Sequence, residues 1–313
     1  MRIGIDLGGT NIAAAIVDDS GSIVKRISIP TEAAGGAAAV AGGVARVCEM
    51  LADELGGAPA SIGVGVPGSV NCETGEVIFT PNLPLSGINI AKPIKDKFGC
   101  AVHIGNDANC AALGEAVSGS AKGALSAVLI TLGTGLGGGI IIDGRLHSGK
   151  SGAAGELGHM VIMAGGRECG CGRRGCWEAY ASATGLIRTA NEFAVQHSNS
   201  VLWEMCGGAK EKIDGRMVFE AYRKGDEAAT PAVGMYVGQL AIGIANIINI
   251  FEPEVFCVGG GISNEWDSIE KPLIAAMGAE KYVRFSAGRP TTRIVKAELG
   301  NDAGIIGAAM LAN

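Results

Sequence analysis

Three thiols and one imidazole fall within 18 residues of this chain, and few loop conformations satisfy them all. Glu156-Leu157-Gly158-His159 comes first. Ten positions after His159 begins Cys169-Gly170-Cys171-Gly172-Arg173-Arg174-Gly175-Cys176-Trp177-Glu178. His159, Cys169, Cys171 and Cys176 can close a tetrahedral Cys3His site around a zinc ion. Gly170, Gly172 and Gly175 let a short loop bend around it. Glu156 and Glu178 bracket the cluster, as suits a knot that holds a small ligand. The alternative is a flexible glycine loop with unused thiols.

The remaining cysteines bear on that choice. The chain has nine, an odd number, and no secretory h-region, so a reducing, cytoplasmic setting is expected. Cys169 and Cys171 are too close for an ordinary disulfide with each other. Cys48, Cys72, Cys100, Cys110, Cys206 and Cys257 show no ligand spacing and read as small buried apolar residues.

A chain of 313 residues suggests two domains or one large α/β unit. Glycine is abundant, 51 residues against the roughly 7% of ordinary proteins, with no collagen or linker repeat. These glycines must serve turns and close backbone approaches. Net charge is −6 with no basic run, which argues against nucleic acid as a partner. Residues 232–251 carry no charge and are long enough to span a bilayer. Gln239, Asn246 and Asn249 share one helical face there, which favours a buried helix with a polar stripe over a membrane span.

The opening residues read as a meander, with strands over 2–7, 12–17 and 22–29. A helix is expected over 37–55, apolar strands over 61–66 and 101–104, and a helix start at 106–109. The meander recurs over 127–132, 139–142 and 145–148. At an offset of 125 residues Ile5 matches Ile130, Leu7 Leu132, Gly8 Gly133, Ile16 Ile141 and Asp18 Asp143. These matches suggest two related halves with two glycine turns facing one cleft, although shared hairpin chemistry could also produce them. A capped helix is expected at 301–311, returning to the first half.

Glycine turns let backbone N–H groups approach phosphate oxygens. In Asp6-Leu7-Gly8-Gly9-Thr10-Asn11, Asp6 could hold Mg²⁺ through water. In 132–139 the position equivalent to Asp6 is Thr131, so the two loops are not interchangeable. Neither is a Walker loop. A third stretch, Val258-Gly259-Gly260-Gly261-Ile262-Ser263, could cover a nucleotide base or ribose. Asp107 could accept a proton from a substrate hydroxyl during phosphate transfer. Its competing reading is an N-cap for the helix that follows.

Taken together, 6–11, Asn106-Asp107, 132–139, 156–159 and 169–178 resemble the ROK family of sugar kinases, above all its zinc-containing bacterial glucokinases. The resemblance covers nearly the whole chain. It implies a two-domain actin/hexokinase-like α/β fold (a duplicated ribonuclease H-like unit) with a central cleft. The first domain would be 1–118, with 301–313 packing back on it, and the second 119–300 would carry the zinc. The implied reaction is ATP- and Mg²⁺-dependent phosphorylation of a hexose at C6, with glucose first. Asp107 would be the general base. Asn106, Glu156, His159 and Glu178 would hold the other hydroxyls, with Gly68 and Asn82 lining the sugar pocket. His159 would turn one ring nitrogen to zinc and the other to sugar. His159, Cys169, Cys171 and Cys176 would hold a structural Zn²⁺. Asp6, Gly8, Gly9, Thr10, Asn11, Thr134 and Gly135 would serve the phosphates and Mg²⁺, and Gly260 and Gly261 the adenosine.

Ile88 stands where many glucokinase relatives carry Trp. Kinases of the same family for N-acetylmannosamine, mannose, allose or fructose therefore stay open. Some ROK proteins are sugar-responsive repressors with a DNA-binding region ahead of the first turn; here five residues precede Asp6. The expected partners are a hexose and ATP, with no nucleic acid and no membrane, and the expected assembly is a homodimer or homotetramer.

Overall fold

The computed structural model describes residues 1–280 and 282–312. Strands β1 (Arg2–Leu7), β2 (Asn11–Val17) and β3 (Ile23–Pro30) form the expected meander. Helix α1 (Gly36–Leu55) buries Val40, Val44, Val47, Cys48 and Leu51, one face of a 3.6-residue repeat. It stops at Gly56, whose φ of 67° lies in the left-handed region. Strand β4 (Ser61–Val66) is buried throughout, as a central strand must be, and pairs parallel with β1.

A small antiparallel sheet then interrupts: β5 (Ser69–Asn71), β6 (Glu76–Phe79) and β7 (Ile88–Asn89). Helix α2 (Ala91–Phe98), strand β8 (Ala101–Asn106) and helix α3 (Asp107–Ser118) follow, with β8 parallel to β4. The second meander is β9 (Ala127–Leu132), β10 (Leu136–Ile142) and β11 (Arg145–Leu146). Beyond the cysteine loop come α4 (Glu178–Ala181), α5 (Ala183–Ala194), α6 (Val201–Met205), α7 (Gly215–Arg223) and α8 (Ala229–Phe251). The chain closes with β12 (Val255–Gly259), α9 (Trp266–Met277), β13 (Phe285–Ser286), β14 (Arg289–Pro290), β15 (Arg293–Lys296) and α10 (Asp302–Ala309).

The two large sheets have one plan. Their strand orders are β3-β2-β1-β4-β8 and β11-β10-β9-β12-β15. In the first, an antiparallel meander is extended by parallel strands; in the second, β10 and β11 pair antiparallel and β12 and β15 pair parallel. The offset of 125 residues therefore reflects a repeated topology, and its apolar partners Ile5, Leu7, Ile130 and Leu132 are all fully buried.

Contacts group the chain into two units. The first is 1–129, 138–155 and 297–313; the second is 130–137 and 156–296. This differs from a single break at 118/119 because the 138–155 stretch, including β11, packs with α3 of the first unit.

Within the first unit α10 packs on α3, β1 and β4. The approach is at backbone distance: a Cβ on Gly63 would lie 1.7 Å from Ala308 O, and one on Gly307 1.6 Å from Cys110 O. Only glycine fits at either point. The entry to α10 is fixed by the buried carboxylate of Glu115. It accepts from Ser120 N (2.7 Å), Ser120 Oγ (2.8 Å), Leu299 N (2.8 Å) and Glu298 N (3.2 Å). The expected cap at Asn301 is not formed. That residue is itself helical and its side chain makes no capping bond.

Within the second unit α8 is a core helix, mostly buried over its apolar length. Its polar stripe is graded: Gln239 is buried, Asn246 half-buried and Asn249 exposed. Two of the six cysteines expected to be buried are not. Cys72 is exposed and Cys100 half-buried, both beside strand ends where the sheet offers less cover.

Candidate active site

In the first unit the β1–β2 turn is tied down from behind. Gly8 N–H donates to Asn11 O (3.0 Å), Thr31 Oγ1 to Gly8 O (2.8 Å) and Thr31 N–H to Thr10 O (2.8 Å). Gly9, Thr10 and Asn11 stay exposed. Asp6, at the end of β1, is raised to about 6 by burial and by the charge of Asp107.

Asn106 joins β8 to α3 and is the helix cap. Its Oδ1 accepts Asn109 N–H at 3.0 Å, and its Nδ2 donates to Gly68 O at 3.0 Å. This corrects the N-cap reading of Asp107, which is the first helical residue; its Oδ1 accepts Ala108 N–H at 2.8 Å. Gly68 has a φ of 112°, and a Cβ there would lie 2.2 Å from Phe79 O. Asn82 is exposed, with its Cβ 3.9 Å from the point a Cβ on Gly9 would occupy. The first unit thus pairs Asp6 with Asp107, Asn106 with Gly68, and Gly9 with Asn82.

In the second unit one ligand atom from each of His159, Cys169, Cys171 and Cys176 lies within 4.8 Å of the others. Cys171 Sγ is 3.7 Å from Cys176 Sγ, and Cys169 Sγ is 3.7 Å from His159 Nδ1. A tetrahedral zinc with ordinary bond lengths needs ligand-to-ligand edges of about 3.5–3.8 Å. The donor set therefore fits zinc in both chemistry and spacing. Nδ1 of His159 faces the thiols, while Nε2 lies 4.0 Å from Glu156 Oε2. The two ring nitrogens are divided between the knot and the acid side.

Glu178 follows the last thiol by two positions. Its Oε2 accepts Leu136 N–H at 2.9 Å, and its Oε1 lies 3.5 Å from Cys169 Sγ. Burial pushes the Cys169 thiol up, and its Sγ lies within hydrogen-bond reach of that carboxylate. A Cβ on Gly135 would lie 2.5 Å from Glu178 Oε2, which is why the turn carries glycine there. The loop is braced by Arg167. Its N–H donates to Tyr180 OH (2.6 Å), and its guanidinium stacks on the Tyr180 ring, bonds Thr189 Oγ1 (2.9 Å) and pairs with Glu192. Gly260 backs onto Leu132 at the end of β9, and Gly261 faces open space.

Residues 2–313 match the ROK family. The chain belongs to that family. A glucokinase of Streptomyces coelicolor is 36% identical to it, over 100% of this chain and 97% of its own length. An N-acetyl-D-glucosamine kinase of Aliivibrio fischeri is 34% identical, covering 99% of each. Among solved structures, a ROK glucokinase from Streptomyces griseus in complex with glucose and AMPPNP superposes with a TM-score of 0.79. It is 34% identical, over 99% of this chain and 98% of its own. The fold is thus the mixed α/β, actin-like sugar-kinase fold that the ROK motifs implied.

The sequence reading of this ROK chain missed part of the site. Thr184 Oγ1 donates to Thr134 O (2.8 Å), and Ala183 N–H donates to Gly133 O (2.8 Å). Gly158 presses on the same turn, since a Cβ there would lie 2.1 Å from Leu136 O. Thr184 lies fifty positions from the turn it holds, and no local spacing marks it.

Proposed function

We propose that this ROK chain transfers the γ-phosphoryl group of ATP to the C6 hydroxyl of a hexose, with glucose as the sugar. The observation that carries the reading is the full-length likeness to glucokinases. Asp107 takes the hydroxyl proton as the sugar oxygen attacks phosphorus in line. In support, Asn106 has taken over the capping of α3, so that carboxylate is not the helix cap. Asn106, Glu156, His159 and Glu178 hold the other hydroxyls, with Gly68 and Asn82 at the pocket wall.

The turn residues Gly8, Gly9, Thr10 and Asn11, with Thr134 and Gly135, meet the phosphates and stabilise charge as it moves to ADP. Gly260 and Gly261 lie beside the adenosine. Asp6 is the residue that would hold the water shell of an ATP-bound Mg²⁺, which would supply countercharge. Zinc on His159, Cys169, Cys171 and Cys176 supplies rigidity. The reading includes a cytoplasmic location and a homodimer or homotetramer, which light scattering on the purified chain decides.

One observation favours a second reading, a kinase for another sugar such as N-acetylglucosamine, N-acetylmannosamine, mannose, allose or fructose: the likeness to an N-acetyl-D-glucosamine kinase. ADP release across these sugars separates the two.

A further inference from the structure

The 133–136 turn and the cysteine knot lie in one unit, and several contacts join them. Leu136 is gripped on both peptide groups. Its N–H is held by Glu178 Oε2 at 2.9 Å, and its C=O abuts Gly158, a residue before the ligand His159. Two further anchors come from just past the knot, Ala183 N–H on Gly133 O and Thr184 Oγ1 on Thr134 O, both 2.8 Å. Inside the turn Gly133 N–H donates to Gly135 O at 3.0 Å, so it moves as one piece.

The base of the knot is equally fixed. Trp177, between Cys176 and Glu178, is fully buried, and its Nε1 donates to Gln239 O at 2.9 Å. Glu178 therefore cannot shift without shifting Cys176, and the turn cannot shift without losing Glu178. The metal ligands occupy 159–176, and the anchors lie on both sides of them, at 158 and at 178–184.

We propose that the metal knot positions the nucleotide turn as well as the sugar wall, with Glu178 and Thr184 as positioning residues for 133–136. This rests on the reading of that turn as a phosphate-binding element. An ordered knot presents Thr134 and Gly135 in one conformation, so less ordering is left to be done when a nucleotide binds. By linkage, bound nucleotide strengthens metal retention by the same factor.

The test is titration calorimetry of a non-hydrolysable ATP analogue with Mg²⁺, without sugar, on the full chain. Removing the knot's metal with a chelator should weaken nucleotide binding at least fivefold with the far-ultraviolet circular dichroism retained. Saturating nucleotide should in turn slow metal loss to the chelator. Thr184→Val should weaken nucleotide binding at least threefold while metal content and glucose affinity stay at wild-type values. Thr184→Ser, which keeps the hydroxyl, should behave as wild type. An analogue affinity unchanged within twofold by metal removal overturns the proposal. Should the stripped chain unfold, the Thr184 pair decides alone, and equal affinities for Val and Ser overturn it. Turnover with glucose alongside such equal affinities would sink only this coupling. Absence of any nucleotide binding would sink the kinase reading with it.

Discussion

Asp6 and Asp107 sit close enough that the charge of Asp107 adds to the burial already holding the Asp6 carboxyl at about 6. Asp6 is the penultimate residue of β1 and Asp107 follows β8 as the first residue of α3; β1 and β8 both pair parallel with β4, which brings the two together from about a hundred positions apart.

That relationship gives the metal-free protein a pH signature. A carboxyl raised from 3.8 to about 6 binds its proton more tightly in the folded state. The stabilisation is full below about pH 4 and is lost as pH rises through 6, about 3 kcal/mol in all. Urea unfolding between pH 4 and 7 should show this fall without Mg²⁺. Asp6→Asn should flatten it and be the more stable form above pH 6. A wild-type slope in that variant would remove Asp6 as the source.

Asp107→Asn should lower kcat by about 10²–10⁴-fold while glucose still binds. Because Asn106 is the cap, the variant should keep the wild-type melting temperature within a few degrees. Coupled ADP assay and calorimetry read the two effects separately. Turnover near wild type would remove Asp107 as the base.

How far these residues could be read from sequence depends on what holds them. β1, β4 and β9 were legible to the residue, because apolar runs bounded by glycine or polar turns leave little choice. β10 begins three positions earlier than expected. Its Gly137-Gly138-Gly139 run has no side chains to alternate, and sheet pairing alone makes it a strand. The β5–β7 sheet was not legible, since its strands are two to four residues long. The knot was legible because metal chemistry demands particular residue types at short spacing. Thr184 and Glu115 were not, since each acts on backbone far away in the chain.

Cys171→Ser should leave the protein without zinc and weaken glucose binding, as read by metal analysis and calorimetry. Cys110→Ser serves as the control. That thiol is buried on α3 and should leave the metal content unchanged. Full zinc in the Cys171 variant would mean that the ligand set is wrong.

Gly243→Ala tests the base of the knot. A Cβ there would lie 2.0 Å from the Trp177 ring, which fills the notch that glycine leaves in α8. Overpacking of this kind costs about 1–3 kcal/mol. A lower melting temperature and an altered near-ultraviolet tryptophan signal are expected. An unchanged signal would mean that α8 yields instead of Trp177.

The central claim is hexose phosphorylation. It is tested most directly by ADP release from the purified chain with Mg-ATP, against glucose, mannose, N-acetylmannosamine, N-acetylglucosamine, allose and fructose. Fast, saturable release with glucose, well above every other sugar, is the expected result. Silence across the whole panel from a folded, zinc-loaded protein would contradict the account.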